Sequence, residues 1–311
     1  MARIGRTDLD VFPLCLGGNV FGWTADEHQS YAVLDAYAAA GGNFIDTADV
    51  YSSWTPGHTG GESETIIGRW MATRTARERT IVATKVGMLS NLKGLAPKTI
   101  RAAAEGSLRR LGVDRIDLYF AHADDPDTPL EDSLRAFDQL IKEGKVRYIG
   151  ASNYTAPRLA KALEISTREG FARYVALQPH YNLVHRSDYE GALSDLCVRE
   201  HMGCVPYFGL AKGFLTGKYR PGIKIDSPRA DSARAYLHER GLQLLTVLDD
   251  IAAAHHVPVA AVSLAWLLAQ PGVVAPIASA RTVEQIAELL PVARLRLSEE
   301  EVRRLSAASE S

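Results

Sequence analysis

Cysteine is scarce: the 311 residues contain only Cys15, Cys197 and Cys204. Their number is odd, their surroundings are apolar and no Cys-x-x-Cys spacing links them. This excludes a disulfide framework and makes all three buried free thiols of a reducing compartment. Net charge is nearly absent too, since 35 Lys and Arg face 37 Asp and Glu to leave −2. No general field draws nucleic acid or an anionic membrane, and any phosphate must be met locally. The stretch Met1-Ala2-Arg3-Ile4-Gly5-Arg6 lacks the apolar core of a signal peptide, so the cytoplasm is the expected location. No Gly-x-Gly-x-x-Gly run occurs, which argues against a Rossmann site. His180, His185 and the pair His255-His256 have no metal-ligand spacing with an acidic cluster, so no metal is expected.

Long hydrophobic runs are also missing, with one exception. Val257 to Ala280 carries no charged side chain and is long enough to cross a bilayer. Pro258, Gln270-Pro271-Gly272 and Pro276 divide it into a buried helix from Val259 to Ala269, a turn, and a short strand from Val273 to Ile277. No membrane span is expected. With 46% apolar and 23% charged residues, the chain is suited to one large domain covering residues 1–311. A (β/α) barrel typically needs roughly 250 residues.

What is present is a regular alternation of apolar strand-length runs with helical patterns. Ile4 to Val11 reads as a hairpin closing one end of the domain. Leu14-Cys15-Leu16 is the first buried strand, and Glu27 to Ala40 is its helix. The second unit is Gly42-Asn43-Phe44-Ile45-Asp46, then a turn to Tyr51 and a helix from Ser63 to Trp70 with Ser63 as its cap. Thr80 to Thr84 leads to Lys85 and a helix over Pro97 to Leu111; Arg115 to Phe120 leads to His122 and a helix over Leu130 to Glu143. Val146 to Ile149 closes at Ser152-Asn153 before a helix from Ala156 to Glu169. Val175 to Leu177 closes at Gln178 before Ser187 to Glu200. Cys204-Val205-Pro206 closes at Tyr207, followed by a Gly-, Lys- and Pro-rich loop to about Ser232 and a helix from Leu242 to Ala254. Val273 to Ile277 closes at Ser279 before Val283 to Leu290, and a capped tail helix covers Ser298 to Ala308. Eight such units predict a closed parallel (β/α)8 TIM barrel with a short N-terminal hairpin and a C-terminal helix.

Asp46, Lys85, His122, Ser152-Asn153, Gln178, Tyr207 and Ser279 fall at or just beyond the carboxyl ends of different strands. Closing the barrel gathers them at the mouth, where such folds keep their chemistry. Reducing a carbonyl by hydride needs a proton donor at the oxygen, and a phenol serves if its pKa is drawn down from about 10. Lys85 beside Tyr51 would favour the phenolate, Asp46 would hold Lys85 charged, and His122 would donate to the carbonyl oxygen.

Gly42 to Tyr51, Ala83-Thr84-Lys85, Asp117 to His122, Gly150 to Asn153, Leu177-Gln178-Pro179 with Tyr181-Asn182, and Leu215 to Lys218 together resemble the aldo-keto reductase superfamily. The chain looks most like its bacterial branch related to potassium-channel β subunits. The resemblance implies the same four catalytic roles for Asp46, Tyr51, Lys85 and His122, and NADP(H) lying across the mouth. It implies Tyr207 stacked on the nicotinamide, with Ser152, Asn153 and Gln178 on the carboxamide. Gly209, Leu210, Lys212, Gly213 and Lys218 would wrap the pyrophosphate. Ser279, Arg281 and Gln285 would meet the adenosine end, and Arg281 suits a 2′-phosphate. Gly18, Asn19, Asp46 and Glu288 complete the implied cofactor set. Departures from the family pattern are Phe208-Gly209, Ser279 and Leu289.

Trp23, Trp54 and Met88 follow the first three strands and would wall a small-molecule carbonyl substrate. An NADPH-dependent reductase of aldehydes or ketones is expected, as a free chain or a homo-oligomer. A nicotinamide-sensing regulatory barrel similar to channel β subunits is the alternative.

Overall fold

The computed structural model describes residues 1–310. Strands β1 (Ala2–Arg3) and β2 (Asp10–Val11) form an antiparallel hairpin. Its Ile4, Leu9 and Val11 are buried against Cys15, Phe44, Ala83, Leu118 and Phe120, so the hairpin plugs the sheet away from the strands' carboxyl ends. The main sheet comprises β3 (Cys15–Gly17), β4 (Phe44–Asp46), β5 (Ile81–Val86), β6 (Ile116–Ala121), β7 (Val146–Ser152), β8 (Tyr174–Gln178), β9 (Gly203–Cys204) and β10 (Ile277–Ala278). All neighbours are parallel, in the order β10-β3-β4-β5-β6-β7-β8-β9. Every residue of β6 is buried, as expected of a parallel strand covered on both faces.

The expected full closure is not reached. At the seam between β9 and the approach to β10, the ladder gives way to isolated bonds: Cys204 N–H to Gly272 O (2.8 Å), Val274 N–H to Cys204 O (2.9 Å) and Ile277 N–H to Pro206 O (2.8 Å). Pro206 and Pro276 have no N–H to donate. The same two prolines explain why the last two strands are shorter than the apolar runs suggest. The result is an eight-stranded parallel α/β sheet with TIM-barrel-like order and an incompletely laddered seam.

The helices surrounding it are α1 (Glu27–Ala39), α2 (Glu62–Arg74), α3 (Pro97–Leu111), α4 (Leu130–Lys142), α5 (Ala156–Glu169), α6 (Ala192–Arg199), α7 (Ala230–Arg234), α8 (Glu239–His255), α9 (Val259–Leu268), α10 (Val283–Leu289) and α11 (Glu299–Ala308). Helix α6 starts well after Ser187 because Gly191, at φ 89°, interrupts the chain there. Helix α11 carries the expected reciprocal cap between Ser298 and Glu301. Ser63 is not a cap: α2 begins after Gly61 in the left-handed region, and buried Ser63 donates instead to Gly18 O at 2.8 Å. Helix α9 lies in the core with Ala260 to Leu267 buried, and no single helix among the described residues is long and apolar enough to cross a membrane.

Helix α2 packs on the end of α3 through Gly68, where an added Cβ would sit 2.5 Å from Arg110 O and 2.6 Å from Leu111 O. Backbone cannot yield as a side chain can. Gly68→Ala is therefore expected to destabilise by about 1–3 kcal/mol, read as a lower urea midpoint.

Candidate active site

Asp46 closes β4, and Lys85 lies one residue before the end of the neighbouring β5. Both side chains are buried, with Lys85 at 0% and Asp46 at 2% exposure. A buried ammonium is tolerated only when its three donors are satisfied. Here Lys85 Nζ donates to Asp46 Oδ2 (2.6 Å), Thr47 O (2.7 Å) and the Tyr51 hydroxyl (2.9 Å). The Tyr51 hydroxyl in turn donates to Asp46 Oδ2 at 3.1 Å. The turn that presents Tyr51 is held by Ser52, at φ 71°, whose hydroxyl donates to Phe21 O at 2.8 Å.

Burial, followed by the Asp46 carboxylate, pushes the Tyr51 phenol well above its usual range. This corrects the expectation of a phenol drawn down by Lys85: loss of solvent and the carboxylate prevail, so the phenol keeps its proton. Burial lowers the Lys85 pKa while Asp46 opposes the change. His122, one residue beyond β6, stands edge-on to the Tyr51 ring at 6.2 Å between centroids. Burial and then the Lys85 charge hold it well below the usual histidine value, so it is neutral, and its Nδ1 has no partner among the described residues. The arrangement offers a protonated phenol backed by an ammonium and a neutral imidazole beside it.

A cavity of about 730 Å³ opens above Tyr51 and is lined by Asp46, Tyr51 and His122 but not by Lys85, which lies beneath. Trp23, Trp54 and Met88 line it too. Trp23 and Trp54 meet edge-to-face at 5.7 Å, while Trp54 and Met88 are 47% and 43% exposed at the rim. On the other side, one hydrogen-bond series joins several candidate cofactor residues to the catalytic group. Tyr207 OH donates to Asn153 Oδ1 (2.8 Å), Asn153 Nδ2 to His122 O (2.8 Å) and Ser152 Oγ (3.1 Å), Ser152 Oγ to Gln178 O (2.9 Å), and Gln178 Nε2 to Asp46 Oδ1 (2.9 Å). Gln178 thus holds Asp46 in place as well as facing the cavity.

Gly209, Leu210, Lys212, Gly213 and Lys218 line the cavity as well, as do Asn19, Ser279, Arg281, Gln285 and Glu288. Ser279 Oγ donates to Asn19 Oδ1 at 2.7 Å, and Gln285 Oε1 accepts the Arg281 N–H at 2.9 Å. Phe208, Ala211 and Lys212 have φ of 54°, 46° and 58°, a concentration of left-handed non-glycine residues of the kind that marks functional loops. Gly18 lies behind the wall, its N–H bonded to Asp46 O at 2.7 Å, and Gly17 lines the cavity in its stead. Arg229 is a cavity residue that sequence reasoning missed; its guanidinium lies 5.7 Å from the centre of the Trp23 ring. The only signal was the Pro228-Arg229 step inside the long loop.

Lys212, Lys218, Arg229 and Arg281 have no ion-pair partner among the described residues. Burial and the Arg281 charge lower the pKa of both Lys218 and Arg229. Glu288 opposes the charge of Lys218 without forming an ion pair, so the four cations leave a net positive field, which suits an anion. No cluster of three or more His, Cys, Asp or Glu among the described residues is disposed to hold a metal ion.

Residues 13–310 match the Aldo/keto reductase family. The chain is 35% identical over 315 residues to the uncharacterized oxidoreductase YrpG of Bacillus subtilis, covering 97% of this chain and 94% of that protein. The chain belongs to the aldo/keto reductase family. It is also 30% identical over 311 residues to an aryl-alcohol dehydrogenase of Pestalotiopsis microspora, covering 95% of this chain and 78% of that protein. A probable voltage-gated potassium channel subunit beta of Oryza sativa is 33% identical over 297 residues, covering 92% and 88%, so the kinship to channel subunits is a distant one. Family membership makes this aldo/keto reductase an oxidoreductase, and the Asp46, Lys85 and Tyr51 network resembles the family's catalytic group.

Proposed function

We propose that this aldo/keto reductase reduces an aldehyde or ketone to an alcohol with NADPH, acting as one barrel unit over residues 1–311. The observation that carries the reading is one cavity lined both by Tyr51 and His122 and by Lys212, Lys218, Arg229 and Arg281, four cations without an ion-pair partner among the described residues. Lys212 and Lys218 suit the pyrophosphate, together with Gly209, Leu210 and Gly213. Arg281 suits a 2′-phosphate, with Ser279, Gln285 and Glu288 around the adenosine. Asn19, Ser152, Asn153, Gln178 and Tyr207 suit the nicotinamide end. When bound, the dinucleotide supplies the hydride.

The chain's own groups do the rest. Neutral His122 offers an N–H to the carbonyl oxygen and fixes its angle. As negative charge grows on that oxygen, Tyr51 gives up its proton, and the phenolate left behind is met by Lys85. Asp46 keeps Lys85 charged, and Gln178 keeps Asp46 in place. Trp23, Trp54 and Met88 suit an aromatic carbonyl compound, a choice supported by the aryl-alcohol dehydrogenase relative. A cytoplasmic setting fits three buried unpaired thiols.

Loss of NADPH absorbance with a panel of aromatic and aliphatic aldehydes and ketones tests the reading; aromatic members are expected to turn over fastest. Binding of NADPH with no turnover anywhere in the panel would favour the sensing role that the channel-subunit relative suggests. Arg281→Ala is expected to weaken NADPH by about 10- to 100-fold and NADH by less than about 3-fold. Equal weakening in paired binding titrations would remove the 2′-phosphate assignment.

A further inference from the structure

Tyr207 lines the cavity while His180 and His185 do not, and the three rings lie in one column. The His180 ring is stacked on Tyr207 at 5.3 Å and 17°, and His185 is stacked on His180 at 3.7 Å and 14°. Asp188 closes the column by pairing with His185 Nε2 at 2.7 Å. Backbone supports it as well: a parallel bridge joins His180 to Tyr207, and Asn182 and His185 bond each other's N–H and C=O across a tight turn. Asn182 Nδ2 donates to Phe208 O at 2.9 Å, and Phe208 touches both His180 and Tyr207 edge-on at 5.3 and 5.1 Å.

Tyr207 is restrained at its hydroxyl by Asn153, but a hydroxyl bond fixes one end of a ring and not its plane. We propose that His180 and His185 are positioning residues that set the plane of Tyr207, and through it the seat of the nicotinamide ring. The inference rests on the reading of Tyr207 as the stacking residue given above. A flat face held in advance lets the dinucleotide bind without ordering that side chain, which is a gain in affinity and not in proton transfer. His180 is suited to this because burial, His185 and Lys212 keep it neutral, with its pKa lowered to about 4. Its face therefore presents no cationic charge to Tyr207 near neutral pH.

The test is NADPH binding by fluorescence titration of His180→Ala, His180→Phe and Tyr207→Ala, with steady-state kinetics alongside. His180→Ala is expected to raise the Kd and the KM for NADPH by about 3- to 10-fold with kcat changed less than about 2-fold. His180→Phe should restore affinity, since a flat ring is all that is required. Weakening by Tyr207→Ala with no change in His180→Ala overturns the proposal alone. No change in either alanine variant overturns the Tyr207 reading with it. Equal weakening by His180→Ala and His180→Phe overturns it too, as loss of local structure and not of a ring plane. Should His180→Ala fold poorly, His185→Ala takes its place, with a weakening of about 2- to 3-fold expected and none overturning the column's role.

Discussion

Replacing Tyr51 with phenylalanine is expected to reduce turnover by about 10²- to 10⁴-fold while leaving NADPH affinity within about 2-fold. Phenylalanine keeps the ring against Trp54 and His122 and removes only the hydroxyl. Lys85 loses one of its three acceptors but retains Thr47 O and its charge partner Asp46, so the buried ion pair persists and the fold is expected to hold. What disappears is the one donor placed to protonate the substrate oxygen. The pH dependence of the wild type sharpens the test. Because burial and Asp46 raise the Tyr51 pKa, the acid is lost only as pH rises beyond the usual phenol range of about 10. His122 is already neutral well below its ordinary value. The rate of reduction at saturating substrate should therefore be nearly flat from about pH 7 to 9. A steep fall across that window, or turnover preserved in Tyr51→Phe, would assign the proton to another group.

How much of this was legible beforehand depended on how locally each feature is determined. Strands β5 to β8 were readable because each is largely apolar and brings a polar residue, Lys85, His122, Ser152 or Gln178, at or beside its carboxyl end. Strands β9 and β10 were misjudged in extent because the apolar runs continue through Pro206 and Pro276, which stop the ladder without breaking the hydrophobic pattern. Asp46, Lys85, His122 and Gln178 were legible as strand ends. Arg229 was not, since its place over Trp23 depends on how the loop after β9 folds back. Ser63 shows the opposite failure: its sequence context suits a cap, but the tertiary contact with Gly18 O decides what its hydroxyl does. The state of Tyr51 was unreadable for the same reason, as the sign of its pKa shift depends on burial and on the Asp46 distance.

Asp49, in the turn between β4 and Tyr51, carries the second large expectation: stability of the wild type should fall from pH 4 to pH 8 more than that of Asp49→Asn. The side chain is fully buried, and neither carboxyl oxygen has a partner among the described residues. Arg110 is the nearby cation, but its Nε is committed to Glu64 Oε2 at 2.6 Å, while Glu64 Oε1 accepts from Thr84 at 2.6 Å. Burial and then the Glu64 charge raise the Asp49 pKa to about 7. The unfolded chain releases this proton near pH 3.9 and the folded chain holds it, so between those values the folded state binds more protons and loses stability as pH rises. Above about pH 7 both states are ionised and the cost levels off. A rise to about 7 corresponds to about 4 kcal/mol as an upper figure. An uncharged asparagine removes that slope whatever it does to the absolute value. Urea midpoints of the two proteins, measured from pH 4 to 8, should therefore diverge in favour of Asp49→Asn as pH rises. Parallel curves would mean that Asp49 is ionised in the folded protein at low pH as well, held by a bound water or ion, and that the turn leading to Tyr51 carries no titratable weakness.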